Sequence, residues 1–134
     1  MTGVSTRAAG ILIRHLGSLC FLPGAVAQRV VSRPVISAVP GTLLGMTVVG
    51  GRVLPVVDLR RQPGRRPLQI VVCDIDGEQV AIAGISAIAS GFFDACEGGV
   101  KIGDEVVPTL DVAAEVQRIE RQLAGRGASH EGAP

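Results

Sequence analysis

Four pairs of apolar segments, each split by a two-residue turn signal, constrain this chain more than any other feature of its sequence. The paired runs are residues 11–16 and 19–22, 46–49 and 52–57, 68–75 and 78–83, and 100–102 and 105–109. The intervening dipeptides are Gly17-Ser18, Gly50-Gly51, Asp76-Gly77 and Gly103-Asp104. Such dipeptides supply the positive φ angles of tight hairpin turns, and the β-branched residues beside them favour strands. The pattern predicts an all-β domain whose hairpins close into barrels.

Two helical segments are predicted beside the hairpins. Residues 25–31 are interpreted as a short helix, and a second, amphipathic helix begins after Asp111, a good N-cap residue. Apolar residues recur in the second segment at helical spacing, at Val112, Val116, Ile119 and Leu123. On its polar side, Glu115 and Arg118 are spaced to form an ion pair. We expect this C-terminal helix to pack on the barrels as a lid.

The length of 134 residues fits one domain of ordinary size. Residues 1–8 and 125–134 are small and polar, which predicts flexible tails on either side of a domain at residues 9–124. Within that domain, Pro55 removes a hydrogen-bond donor from its run. We therefore expect an edge, a bulge or a barrel corner at this position.

Composition argues against several classes of function. A net charge of +1 and an aromatic content of 2% leave neither a positive field nor a stacking platform for nucleic acid. The three cysteines are scattered without a C-x-x-C motif, and only two histidines are present, so we expect no metal site and no cofactor. Thiol catalysis would require Cys20, Cys73 or Cys96 beside His15. The favoured interpretation is reduced, buried thiols in a cytoplasmic protein.

Two apolar stretches raise the question of a membrane. The uncharged run at residues 34–51 is interrupted repeatedly by Pro and Gly, which rules it out as a spanning helix. Residues 7–27 end in Ala25-Val26-Ala27, a pattern typical of a signal-peptide cleavage site. Arg14 and His15 interrupt its apolar region, so we favour a strand pair there and predict no direct membrane insertion.

One segment has the appearance of a catalytic motif. Residues 70–77 read IVVCDIDG, an apolar strand followed by D-x-D-G, which resembles the first motif of haloacid-dehalogenase phosphohydrolases. In that family, Asp74 would be the nucleophile and Asp76 the general acid. A nucleophile at the end of a parallel strand needs a crossover helix next, whereas residues 78–83 read as a returning strand. We therefore favour a hairpin turn and no enzymatic activity, with the phosphohydrolase as a remote alternative.

The segment from residue 40 to residue 60 resembles the core motif of the CheW-like domain family. The family shows P-x-x-x-x-G-x-x-N-x-R-G-x-x-x-P-V-x-D-L-R, and here residues 40–45 read PGTLLG and residues 55–60 read PVVDLR. Weaker similarity extends over residues 9–118, in the order of the family's hairpins. The resemblance implies two small SH3-like β-barrel subdomains, a short helix, a C-terminal helix and no catalysis.

The chain departs from the family pattern at charged positions. Asn-x-Arg-Gly reads Val48-Val49-Gly50-Gly51 here, so a glycine replaces the arginine that the family associates with partner coupling. Arg52 is a possible substitute two residues later. Arg29 aligns where a glutamate is usual, which reverses the charge and favours a changed choice of partner.

The resemblance implies an adaptor that couples chemoreceptors to a chemotaxis histidine kinase. Its partners would be the regulatory domain of a CheA-type kinase and the cytoplasmic tip of a methyl-accepting chemoreceptor. The predicted partner-binding residues are Arg29, Val30, Val31, Val35, Val48, Gly50, Gly51, Arg52, Asp58 and Arg60. The alternative is an accessory subunit that binds only the kinase or only the receptor in a specialised pathway. A basic loop at residues 60–66 is interpreted as a connector, with a phosphate or acidic-partner contact as the alternative.

Overall fold

The computed structural model describes residues 6–39, 45–60 and 66–131, with side chains described up to residue 122 of the C-terminal helix. Within these ranges the chain forms eleven strands and one helix. The strands are β1 (Arg7–His15), β2 (Ser18–Pro23), β3 (Ala27–Ser32), β4 (Ile36–Ala38), β5 (Gly45–Val49), β6 (Arg52–Asp58), β7 (Gln69–Ile75), β8 (Glu78–Ala83), β9 (Ile85–Cys96), β10 (Gly99–Ile102) and β11 (Glu105–Pro108). The helix is α1 (Val112–Glu131).

The four predicted hairpins are all present. β1 pairs with β2, β5 with β6, β7 with β8 and β10 with β11, each pair antiparallel. In the β7–β8 turn, Asp76 and Gly77 have φ angles of 53° and 86°, as a tight hairpin turn requires. The first turn lies one residue earlier than predicted, at Leu16 and Gly17, because Ser18 already belongs to β2.

The strands form two curled sheets, each a small barrel. The five-stranded sheet has the order β11-β10-β9-β1-β2, so it combines the first two strands of the chain with the last three. It closes where a bridge joins Phe21 of β2 to Thr109, and where the amide of Leu110 donates to the carbonyl of Phe21 at 3.0 Å. The predicted all-β fold of two barrel subdomains is confirmed.

The six-stranded sheet has the order β3-β7-β8-β6-β5-β4 and comes from one continuous stretch of the chain. β6 runs parallel to β8, and this pairing starts at Val56 opposite Ala81. Pro55 comes just before that point and pairs only with Met46 of β5. Pro55 therefore lies at a local edge of the sheet, as its missing N–H predicts.

Each barrel has its own apolar interior. The five-stranded barrel buries Leu12, Phe21, Val100 and Val107. The six-stranded barrel buries Leu54, Val56, Ile70, Val72, Ala81 and Ala83. In the first interior, the rings of Phe21 and Phe93 meet edge to face with their centroids 5.8 Å apart.

A third and larger apolar cluster, which we call the inter-barrel core, takes side chains from both sheets and from α1. Its buried members are Ile13, Cys20, Leu22, Val57, Leu59, Val71, Cys73, Val80, Ile82, Ile85, Val112 and Val116. Along β7, Val71 and Cys73 belong to this core, whereas Ile70 and Val72 belong to the interior of the six-stranded barrel. Burial on both faces explains why the sequence of β7 is an unbroken apolar run without alternation.

The short helix predicted at residues 25–31 is wrong. β3 (Ala27–Ser32) occupies this segment and pairs with β7, with Val30 opposite Val71. Neighbouring β-branched residues at 30 and 31 are restricted in a helix and fit a pleated surface, so pairing with a long buried strand decides the outcome.

The start of α1 is as predicted. The amide of Ala114 donates to Oδ1 of Asp111 at 3.0 Å, which caps the helix. Nε of Arg118 donates to Oε2 of Glu115 at 2.8 Å on the exposed side. The buried side of α1 contributes two valines to the inter-barrel core, so the helix covers the seam between the barrels.

Regular elements extend past the predicted domain bounds at both ends. β1 begins at Arg7, before residue 9, and α1 continues to Glu131, past residue 124. In the part of the chain that the structure describes, no helix combines the length and the apolar character needed to span a bilayer.

Candidate partner-binding surface

Residues 55–60, which carry the strongest sequence signal, are largely structural. Val56 belongs to the interior of the six-stranded barrel, whereas Val57 and Leu59 belong to the inter-barrel core. The amide of Leu59 donates to the carbonyl of Ala83 at 2.9 Å and so continues the pairing of β6 with β8. Val57 and Leu59 hold the two barrels together, and all three buried residues are unavailable to a partner.

Asp58 and Arg60, both predicted partner contacts, bind each other. Nη2 of Arg60 donates to Oδ2 of Asp58 at 2.6 Å, and the amide of Arg60 donates to Oδ1 at 2.9 Å. These side-chain hydrogen bonds raise the pKa of Arg60, although burial partly opposes the shift. Gly84 lies against the pair with a φ of 90°, and a Cβ there would be 2.8 Å from the amide nitrogen of Arg60. The ion pair thus fixes the end of β6.

Only part of the predicted basic loop lies within the described residues. Arg60 and Arg66 line one pocket together with Leu68, Gln69 and Ser86. Residues 61–65, with the other two arginines of the loop, lie outside the described residues.

An exposed apolar surface lies on β5, on β6 and on the segment between β3 and β4. We call it the valine surface and define it by Val35, Met46, Val48 and Val53. Val35 is 75% exposed, Val48 66% and Val53 58%. Val48 and Val53 are directly opposite each other in the ladder, and Met46 lies two residues before Val48 on the same face. The shallow groove along this surface is also lined by Val31, Arg33, Pro34, Ser37 and Thr47.

Thr47 fixes one wall of this groove. The residue is 4% exposed, and its Oγ1 donates to the carbonyl of Val35 at 2.7 Å. This hydrogen bond ties the segment between β3 and β4 to the middle of β5. Val35 is therefore exposed to solvent while its backbone is held in place.

Two arginines lie near the glycine turn that ends the valine surface. Nη1 of Arg52 donates to Oε1 of Gln79 on β8 at 3.3 Å. A Cβ built on Gly50 would lie 3.6 Å from Nη1 of Arg29, which reaches the turn from β3. Arg29 thus places a guanidinium beside the turn where the CheW-like pattern has its arginine, whereas that of Arg52 is bound to Gln79.

Most of the predicted site residues lie on or near the valine surface. Val31, Val35 and Val48 line its groove, and Arg29 lies beside Gly50 at the turn that continues into Gly51 and Arg52. Val30 is opposite Val71 of the inter-barrel core and so faces the other side of β3 from Val31. Asp58 ends β6 and Arg60 follows it, about 20 Å from the turn at about 3.3 Å for each residue of the strand. The sequence-based site omitted Met46 and Val53. The sequence did contain a signal for them. Both faces of β5 and β6 carry apolar residues, and only one face of a strand can point into the barrel interior, so the apolar residues of the other face are exposed.

The D-x-D-G segment forms a hairpin turn. Oδ1 of Asp74 accepts a hydrogen bond from the amide of Gly77 at 2.8 Å. β7 and β8 are antiparallel neighbours joined directly by this turn, so the crossover that a phosphohydrolase needs is not formed here. The structure contradicts the phosphohydrolase arrangement.

The cysteines of the inter-barrel core are poor nucleophiles. Burial raises the pKa of the Cys73 thiol to about 12 and also raises the pKa of Cys20. A neutral thiol neither attacks a substrate nor binds a metal readily. Among the described residues, no three His, Cys, Asp or Glu side chains are grouped to hold a metal ion.

We expect alkylation of the folded protein to modify Cys96 and to leave Cys73 unmodified, because Cys96 is half-buried and Cys73 is fully buried. Mass spectrometry after iodoacetamide treatment measures the labelling. Equal labelling of both thiols in the native protein would contradict this expectation.

The burial of Cys73 also makes the free energy of unfolding depend on pH. Since the pKa of Cys73 in the folded protein lies above its ordinary 9.0, the stability that this thiol contributes is complete below pH 9.0 and is lost as the pH rises toward about 12.

Two small barrels that share an apolar core, with a helix over their seam, define the class of this protein: a two-barrel, all-β domain with an exposed apolar surface on one barrel. No protein-family model matches the chain, and no curated protein matches it. Fourteen chains of solved structures do match. One is the crystal structure of the scaffolding protein TtCheW from Thermoanaerobacter tengcongensis, with a TM-score of 0.61 and 16% identity, covering 78% of this chain and 90% of that chain. The protein has the CheW-like fold that its sequence predicts.

Proposed function

We propose that this protein is a non-catalytic cytoplasmic scaffold that couples chemoreceptors to a chemotaxis histidine kinase. The observation that carries the proposal is the valine surface. It lies on a fold shared with a CheW scaffolding protein and exposes apolar side chains that no described element covers. Contiguous exposed apolar side chains rimmed by polar ones are typical of protein interfaces.

Coupling requires separate surfaces for two partners, and the second barrel offers apolar side chains of its own. Ile88 and Phe92 of β9 are both exposed, Ile88 to 51% and Phe92 to 68%. We assign one partner to the valine surface and the other to these exposed residues of β9. The two candidate partners are the regulatory domain of the kinase and the cytoplasmic tip of a receptor.

The second candidate function is an accessory subunit that binds only one of these partners. Gly50 favours it, because the turn lacks the arginine side chain that the family pattern associates with coupling. Asp58 and Arg60 favour it as well, since each binds the other.

Isothermal titration of the full chain distinguishes the two functions. The titrants are the regulatory domain of a histidine kinase and a receptor-tip fragment encoded in the same genome. Heat is the appropriate signal because the chain has no Trp and no Tyr. We expect binding to both partners. Binding to one alone would support the accessory subunit, and binding to neither would overturn both functions.

A further inference from the structure

The groove of the valine surface carries positive charge without negative charge. Arg33 lines it, Arg29 lies at its glycine turn, and none of its described lining residues is an acid. Two other arginines are paired within the chain: Arg7 pairs with Asp94, and Arg118 pairs with Glu115. In the described ranges, the side chains of Arg29 and Arg33 have no hydrogen bond and no ion pair.

The guanidinium of Arg29 is open to a partner. It lies beside Gly50, which has no side chain to cover it, and a Cβ built on Gly51 would meet no atom within 4 Å. A guanidinium has five N–H donors in a planar fork that matches a carboxylate. With none of these donors bound to a described residue, Arg29 presents an unused carboxylate site at the end of the valine surface.

We infer that the valine surface docks a segment of a partner protein that inserts apolar side chains and places a carboxylate on Arg29. The inference rests on the proposed function and names the chemistry of one of its partners. A nucleic acid or a free phosphate does not fit, because the contact beside Arg29 is apolar and a net charge of +1 supplies no extended basic field. Arg29 therefore favours acidic partner segments, and neutral or basic segments of equal shape bind more weakly.

The test compares two variants of the full chain, Arg29→Gln and Arg29→Glu, in titrations against the kinase regulatory domain and the receptor-tip fragment. Arg14→Gln is the matched control, since Arg14 is an exposed arginine on β1 of the other barrel. For the partner on the valine surface, we expect Arg29→Gln to weaken binding about tenfold and Arg29→Glu about 100-fold. The control leaves the Kd unchanged.

Salt dependence separates lost charge from lost packing. Binding by the unaltered protein weakens as ionic strength rises, and the Arg29→Gln variant shows a flatter dependence because its ion pair is gone. If Arg29→Glu binds both partners as well as the unaltered protein does, the inference is overturned and the scaffold function stands. If the unaltered protein binds neither partner, the function fails and the inference fails with it.

Discussion

Replacing Val48 and Val53 together with threonine is expected to weaken binding of one partner about 30-fold while the fold is retained. The two side chains are opposite each other on β5 and β6 and are exposed, so neither contributes to a core. Threonine has the shape of valine and an equal preference for strands, but each buried hydroxyl adds a desolvation penalty of at least about 1 kcal/mol. Two such penalties amount to about 2 kcal/mol, which corresponds to a factor of about 30 in Kd.

The matched control for this double variant is Val106→Thr. Val106 is 56% exposed on β11 of the five-stranded barrel, so the same chemical change is made outside the valine surface. Titration against both partners measures the effect, and circular dichroism checks the fold. We expect the control to bind both partners normally. Unchanged binding of both partners by the double variant would show that the valine surface is not an interface.

The Gly10→Ala variant is expected to lose a large part of its stability. Gly10 lies in β1, which is paired on both sides, with β2 and with β9. A Cβ there would collide with the carbonyl oxygen of Leu22 and lie 2.6 Å from Cζ of Phe21. The ring can turn, but Leu22 is fully buried in the inter-barrel core, so its backbone has no room to move. A loss above about 4 kcal/mol follows, against a total of about 5–15 kcal/mol for a domain.

Urea unfolding followed by circular dichroism measures this loss, since the chain has no Trp or Tyr for fluorescence. Gly24→Ala is the matched control. A Cβ on Gly24 would be 3.3 Å from the carbonyl oxygen of Ala9, and Gly24 is exposed, so the chain has room to adjust. We expect a change within about 1 kcal/mol for this control. A Gly10→Ala variant as stable as the control would disprove the role of close packing at β1.

The hairpins were predictable because their information is local. A glycine turn between β-branched runs specifies each of them, and residues 76 and 77 have the φ angles that their dipeptide predicts. The segment at residues 25–31 was not predictable in this way. Its strand forms because β7 offers an edge there, and that pairing joins residues about 40 positions apart, Val30 with Val71.

In the candidate site as well, some features follow from the local sequence and others depend on contacts between distant parts of the chain. Val35 and Val48 of the valine surface were predicted as partner contacts from the local sequence, whereas Met46 and Val53 were not named. Arg29 was selected as a charge reversal, but its position beside Gly50 depends on the approach of β3 to the β5–β6 turn. The partner role of Asp58 and Arg60 stays a prediction, since two residues that bind each other strongly are equally suited to a purely structural role.

The order of strands in the five-stranded sheet bears on how the chain matures as it is synthesised. β1 and β2 emerge first, yet β1 lies between β2 and β9, so the barrel stays open until the last strands are available. The six-stranded sheet comes from the middle of the chain and completes earlier. The apolar face of the β1–β2 hairpin therefore stays uncovered until β9, β10 and β11 have been synthesised. Because this barrel depends on contacts between distant positions, its folding is slow. For the same reason, a chain cut short before β9 would keep this face exposed and be prone to aggregate.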